Sequence, residues 1–163
     1  METNHKKRIK IYNGTVLISD KKIKNGYILI EDNHIIDLGE GNPEFKNAEQ
    51  IDADHNYISP GFIDMHVHGG GGYGFMDPTV EAFLKIAETH AKYGTTSLCP
   101  TTLTSEIKDL LNTLDIYQIA NRQNSMGAHF LGMHLGLIRP FTNYHTDLLA
   151  VSLSSSRCIP KNC

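Results

Sequence analysis

An excess of positive charge is missing from this chain, and so is any apolar run long enough to cross a bilayer. Lys and Arg number 15 against 18 Asp and Glu, a formal charge of -3. The single basic cluster, Lys6-Lys7-Arg8, sits at the amino end with no aromatic residues interleaved and reads as a solvated terminus. A nucleic-acid binder is excluded on those grounds. No membrane span is expected, and the opening METNHKKRIK lacks the apolar core of a signal peptide. Cysteine is scarce as well: Cys99, Cys158 and Cys163 have no paired spacing, so no disulfide framework is expected. Such usage suits a reducing cytoplasm, and the expected location is cytoplasmic. Cys99 falls in an apolar strand and is read as core. With 40% hydrophobic residues over 163 positions, the composition is that of an ordinary globular domain or part of a larger one.

What the sequence does contain is concentrated between Ile58 and Asp77, ISPGFIDMHVHGGGGYGFMD. Ser59-Pro60-Gly61 turns the chain, and Phe62-Ile63-Asp64-Met65 predicts a short buried parallel strand. In an extended segment side chains two apart share a face, so His66 and His68 converge while Val67 points away into packing. Two imidazoles at the carboxyl end of a strand form half of a metal site. Gly69 to Gly72 then remove side-chain bulk where something must approach the backbone. An HxH pair alone occurs by chance in many exposed strands. The apolar strand before it and the glycines after it favour the metal reading.

Around this stretch the chain falls into three parts. IKIYNGTVLIS, residues 9 to 19, predicts a hairpin about Asn13-Gly14, and GYILIEDNHIIDL, residues 26 to 38, a second with its turn near Asp32-Asn33. Residues 40 to 50 read as a polar loop and Ile51 to Ile58 as one further strand. The short strands of residues 9 to 38 are antiparallel by turn length and form a small sheet with one face covered. From Phe62 the period changes. Asp77 is expected to cap a helix with Pro78 in its first turn and a stripe of Val80, Phe83, Leu84, Ala87 and Ala91. Gly94 ends that helix and Thr95 to Pro100 is the second strand. Thr104 or Ser105 caps a second helix with the stripe Ile107, Leu110, Leu111, Leu114 and Tyr117. Asn121 to Ser125 make a loop, and Ala128 to Leu135 the third strand. Strand, helix, strand, helix, strand is the pattern of parallel βαβ units, shared by doubly wound sheets and (β/α)8 barrels.

PGFIDMHVHGGGGYGFMD resembles the signature after the first barrel strand of the amidohydrolase superfamily, and its glycine-rich form is similar to that of the N-acetylglucosamine-6-phosphate deacetylases. Gly94-Thr95-Thr96-Ser97-Leu98-Cys99-Pro100-Thr101-Thr102 and Leu131-Gly132-Met133-His134-Leu135 fit the same family, so the resemblance covers about residues 9 to 135. It implies an α/β fold: the first part of a (β/α)8 barrel, about three βα units, preceded by a segment of a small β-sandwich. The expected domains are 1–59 for the sandwich strands, 60–135 for the barrel units and 136–163 for an atypical tail. It further implies hydrolysis of the acetamide of N-acetylglucosamine 6-phosphate with a divalent metal, zinc or iron, in a homodimeric parent enzyme. His66 and His68 are the candidate metal ligands. The family's catalytic aspartate and sugar-phosphate-binding residues fall beyond this chain, so no catalytic or substrate-binding residue is assigned.

Where the family continues His-Leu-Glu-Gly-Pro, its glutamate a metal ligand, this chain reads His134-Leu135-Gly136-Leu137-Ile138-Arg139-Pro140. The last 28 residues hold one acid, Asp147, against 17 in the first 135. A shift of reading frame within those codons is the expected origin of the tail; a short in-frame insertion is the competing account. The chain is accordingly expected to be truncated, inactive and poorly soluble by itself. His134 is kept out of the ligand set, since a strand histidine there can simply orient the loop. His145 has no partner at a defined spacing, and His5, His34, His55, His90 and His129 read as ordinary surface or packing residues. Two other readings stay open: another cyclic amidohydrolase, dihydroorotase- or allantoinase-like, and a non-catalytic fragment or pseudoenzyme.

Overall fold

The computed structural model describes residues 7–136. His5, Cys158, Cys163, His145 and the tail expected from residue 136 therefore lie, Gly136 apart, outside the described residues. The chain divides into two compact units at Pro60 and Gly61.

The first unit is one five-stranded sheet. β1 (Arg8–Leu17), β2 (Lys22–Glu31), β3 (His34–Glu40) and β4 (Ala48–Asp52) lie in the order β3-β2-β1-β4, and β5 (Tyr57–Ile58) pairs with β1 beside β4. The hairpin expected at Asn13-Gly14 does not form. Asn13 takes its positive φ of 59° inside β1, which continues through it with register shifts against β2 on either side. An asparagine-glycine pair thus serves as a bulge here, because both flanks find partners on the same neighbour. Asp32, at φ 53°, does turn β2 into antiparallel β3 as expected. The single strand expected over 51–58 is interrupted at Asp54 and His55, both with positive φ. The antiparallel pairing expected within residues 9 to 38 is found between β1 and β2 and between β2 and β3, while β4 and β5 run parallel to β1.

Tyr27, Ile28 and Leu29 are buried in succession, so both faces of β2 are covered. One face packs Ile28 with Val16 and Ile58. On the other, the segment between β3 and β4 folds over the sheet: Phe45 stacks against Tyr27 at 5.6 Å, and Lys10, only 2% exposed, donates to the Pro43 carbonyl at 2.8 Å. Burying an ammonium group is costly unless it is hydrogen-bonded, and that carbonyl, with the Tyr12 ring 4.9 Å away, supplies the partners.

The second unit is α/β. β6 (Phe62–Val67), β9 (Thr95–Pro100) and β10 (His129–Phe130) form a parallel sheet in the order β10-β9-β6, and β7 (Gly69–Gly70) and β8 (Tyr73–Gly74) a small hairpin after β6. Helix α1 (Val80–Lys92) links β8 to β9, and α2 (Ile107–Gln123) links β9 to β10. The cap of α1 is Thr79, whose hydroxyl accepts from the Ala82 N–H at 3.2 Å. Asp77, expected in that role, instead accepts from the Gly74 N–H at 2.7 Å and ties down β8. For α2 the cap position is Glu106, with no side-chain cap bond; Ser105 donates to Asp109.

Each helix buries part of its expected stripe, Phe83 and Ala87 in α1 and Leu110 in α2, with other residues beside it. α1 buries Ala82, Phe83, Ile86 and Ala87, and α2 buries Leu110, Thr113 and Ala120 while Ile107 and Leu111 are exposed. Phe83 is the hub, with ring centroids 4.8 Å from Phe75, 6.2 Å from Phe130 and 6.4 Å from Tyr117. The third strand, expected over 128–135, is regular only at His129–Phe130; a single bridge from Thr101 to His134 continues its alignment. β6 was expected to be buried, yet Phe62, Ile63 and Met65 are 60–68% exposed. It is an edge strand of a three-stranded sheet, and the aromatic core reaches only its Val67 end.

Candidate metal centre

The carboxyl ends of β6 and β9, with the chain beyond β10, meet in one place. That is the edge where parallel α/β sheets place their chemistry. His66 is the penultimate residue of β6 and His68 lies one residue past its end. Their Nε2 atoms lie 3.2 Å apart, while Val67 between them is 8% exposed in the core. Two nitrogens bound to one tetrahedral zinc at 2.0–2.1 Å stand about 3.3 Å from each other, so the pair has the bite of two ligands to one ion.

Backbone hydrogen bonds fix that bite from three sides. Thr101 N–H donates to the Val67 carbonyl at 2.8 Å, and Phe75 N–H to the His68 carbonyl at 2.9 Å. His68 Nδ1 lies 3.1 Å from the Thr101 carbonyl oxygen. A carbonyl only accepts, so Nδ1 carries the proton and the ring presents Nε2 as its lone pair toward His66. A metal-binding histidine commonly has its other ring nitrogen fixed in this way.

The glycine run has a different purpose from the one its composition suggested. What approaches the bare backbone is the chain itself. A Cβ on Gly69 would strike the Tyr73 carbonyl across the β7–β8 hairpin, and one on Gly71, at φ 62°, would strike the Thr89 hydroxyl of α1. His90, read as an ordinary packing residue, lies with Nε2 3.2 Å from the Gly69 carbonyl and clamps the hairpin to α1. Phe75 then plugs into the aromatic core at 0% exposure. The run is a tight clasp between the histidine pair and the first helix.

Other candidate ligands are few among the described residues. His134, left out of the ligand set, lies beside the pair, its ring edge-on to His66 with centroids 5.0 Å apart. Cys99 is half-buried with Sγ directed to the Gly132 carbonyl, and burial pushes its thiol up, away from the thiolate a metal requires. Asp64 accepts from the His66 backbone N–H at 3.1 Å. His34, His55 and His129 are exposed. Among the described residues no group of three or more His, Cys, Asp or Glu side chains is arranged to hold a metal ion. None of the described helices is long and apolar enough to cross a membrane.

No protein-family model matches the chain. Among curated proteins, it is 32% identical over 124 residues to the N-acetylglucosamine-6-phosphate deacetylase of Bacillus subtilis, covering 74% of this chain and 31% of that protein. It is 30% identical over 112 residues to the dihydroorotase of Macrococcus caseolyticus, covering 69% and 25%. Among solved structures, a variant of N-acetyl-D-glucosamine-6-phosphate deacetylase from Mycobacterium smegmatis, in complex with N-acetyl-D-glucosamine-6-phosphate, superposes with a TM-score of 0.65 at 24% identity. That superposition covers 79% of this chain and 32% of the other. The chain thus spans between a quarter and a third of the length of the curated relatives it matches. In sequence and in fold, it is similar to the amino-terminal part of N-acetylglucosamine-6-phosphate deacetylases.

Proposed function

We propose that this chain carries part of the metal centre of an amino-sugar-phosphate deacetylase: His66 and His68 bind one divalent ion through Nε2, with residues 60–135 as the first βα units of a barrel and 1–59 as strands of its sandwich. The observation that carries the reading is the 3.2 Å separation of the two Nε2 atoms at the carboxyl edge of a parallel sheet. An amide resists attack by neutral water, and a zinc or iron ion would lower the pKa of its bound water and polarise the carbonyl. The chain's own part is orientation. Val67 anchors the strand end in the core, Thr101 sets the His68 tautomer, and the β7–β8 clasp keeps the backbone between His68 and Phe75 in one conformation. The two histidines are assigned as ligands only, with no general base among them. N-acetylglucosamine 6-phosphate is the proposed substrate of the whole enzyme, following the relatives in sequence and the complex described above.

A second reading, a dihydroorotase-type cyclic amidohydrolase, is favoured by the match to the Macrococcus protein. A chimera separates the two. Residues 9–135 are grafted in place of the corresponding segment of the Bacillus subtilis deacetylase, and deacetylation of N-acetylglucosamine 6-phosphate is measured alongside hydrolysis of dihydroorotate. A folded chimera that cleaves the sugar amide supports the proposal. One that cleaves only dihydroorotate, or whose sugar activity survives loss of both histidines, contradicts it.

A further inference from the structure

His66 and His68 both have exposed rings, and an exposed imidazole on a strand end samples several rotamers unless something confines it. His68 is confined by the Thr101 carbonyl. His66 has no comparable side-chain hydrogen bond to the described protein besides that to His68; its ring instead meets His134 edge-on, centroids 5.0 Å apart and planes at 86°. It meets His68 in the same manner, at 4.9 Å and 82°. His66 is therefore held between two rings.

The His134 side of that slot is anchored by backbone. His134 N–H donates to the Pro100 carbonyl at 2.8 Å, and its own carbonyl accepts from Thr102 N–H at 3.0 Å. Thr101, whose carbonyl holds His68, is the residue bridged to His134, and Gly136 N–H donates to the Thr102 hydroxyl at 2.7 Å. One short stretch beyond β9 thus carries both restraints, a carbonyl for one imidazole and a docked ring for the other. His134 is not grouped with the pair as a third ligand.

We propose that His134 is a positioning residue, its ring holding His66 in the rotamer that brings its Nε2 to that of His68, in register with the tautomer that Thr101 imposes. The proposal rests on the reading of the pair as a metal chelate. With both rings neutral, the geometry requires His68 as the Nδ1–H tautomer and His66 as the Nε2–H tautomer donating to it, so the arrangement is visible before any metal is added.

The test uses the 163-residue chain with nitrogen-15 NMR of its imidazoles at mildly alkaline pH, first metal-free and then titrated with zinc. Wild type is compared with His134→Phe, which keeps a ring and loses the nitrogens, and with His134→Ala. His134→Phe is expected to retain the two distinct tautomers and to bind zinc within about 2-fold of wild type, as a neutral surface change does. His134→Ala is expected to average the His66 signals and weaken zinc binding by roughly 10-fold, the scale of losing an outer-shell partner. Retention of the backbone amide spectrum confirms folding, since the His134 ring is exposed. Unchanged tautomers and affinity in His134→Ala would overturn the proposal. So would equal weakening by both substitutions, which would make His134 a ligand. If wild-type His66 and His68 do not respond to zinc at all, the chelate reading fails, while the metal-free tautomers still decide the positioning role.

Discussion

Replacing His66 and His68 together with alanine abolishes divalent-cation binding by this chain, and either single substitution weakens it by more than ~100-fold, as calorimetric titration with zinc will show. The size follows from what remains. Loss of an outer-shell partner alone typically costs 10- to 100-fold, and on the proposed reading each of these rings is a direct donor in a set of two among the described residues. The remaining ring is a monodentate imidazole such as any surface histidine offers. Neither side chain supports the core, since both are exposed and Val67 between them bears the packing. The melting temperature of the double variant therefore stays within a few degrees of wild type, which separates a lost ligand from a lost fold. Tight zinc binding by the double variant would show that the ion sits elsewhere.

Phe83→Ala is expected to remove about 3–5 kcal/mol from the second unit. Phe83 has no exposed surface, and its ring meets Phe75, Phe130 and Tyr117 at 4.8–6.4 Å. Edge-to-face pairs add roughly 0.5–1.5 kcal/mol each beyond the area they bury. Domain stability is usually only 5–15 kcal/mol, so the melting temperature should fall by more than ~10 °C. The consequence reaches the proposed metal centre through Phe75, which packs on Phe83 and whose N–H holds the His68 carbonyl. Zinc affinity in the folded fraction should therefore drop as well. A Phe83→Leu variant, which refills most of the volume, recovers most of the stability if packing is the cause. A melting temperature within a few degrees of wild type for Phe83→Ala would contradict this account of the core.

The histidine pair was legible because its placement depends only on strand alternation: once Phe62–Val67 is extended, residues two apart meet. β9 was legible from its boundaries, since Gly94 at φ 89° follows α1 and the β-branched Thr95-Thr96 pair opens a short segment that closes at Pro100. Features decided by distant partners were not. Asn13-Gly14 is a turn signal by propensity, yet β2 and the strands beyond β1 keep it inside a strand. The helix faces were legible in part: of the expected stripes Phe83, Ala87 and Leu110 are buried and Val80 and Tyr117 pack on the core, whereas Ile107 and Leu111 are exposed. The buried faces also take in Ala82, Ile86, Thr113 and Ala120, which those stripes left out. The glycine run showed that something must come near the backbone, but only the fold reveals that it is Tyr73 and Thr89. His134 could have been found from its equivalent position beyond a third parallel strand. A lone histidine followed by glycine carries no local sign of the ring it faces.

The most direct measurement is an anomalous difference map at the zinc edge from crystals of the zinc-loaded chain. The account predicts one peak 2.0–2.1 Å from the Nε2 atoms of both His66 and His68 at the carboxyl edge of the parallel strands, with His68 Nδ1 still on the Thr101 carbonyl. A peak bound by only one of the two rings, or by other residues while the pair keeps its mutual hydrogen bond, would contradict it.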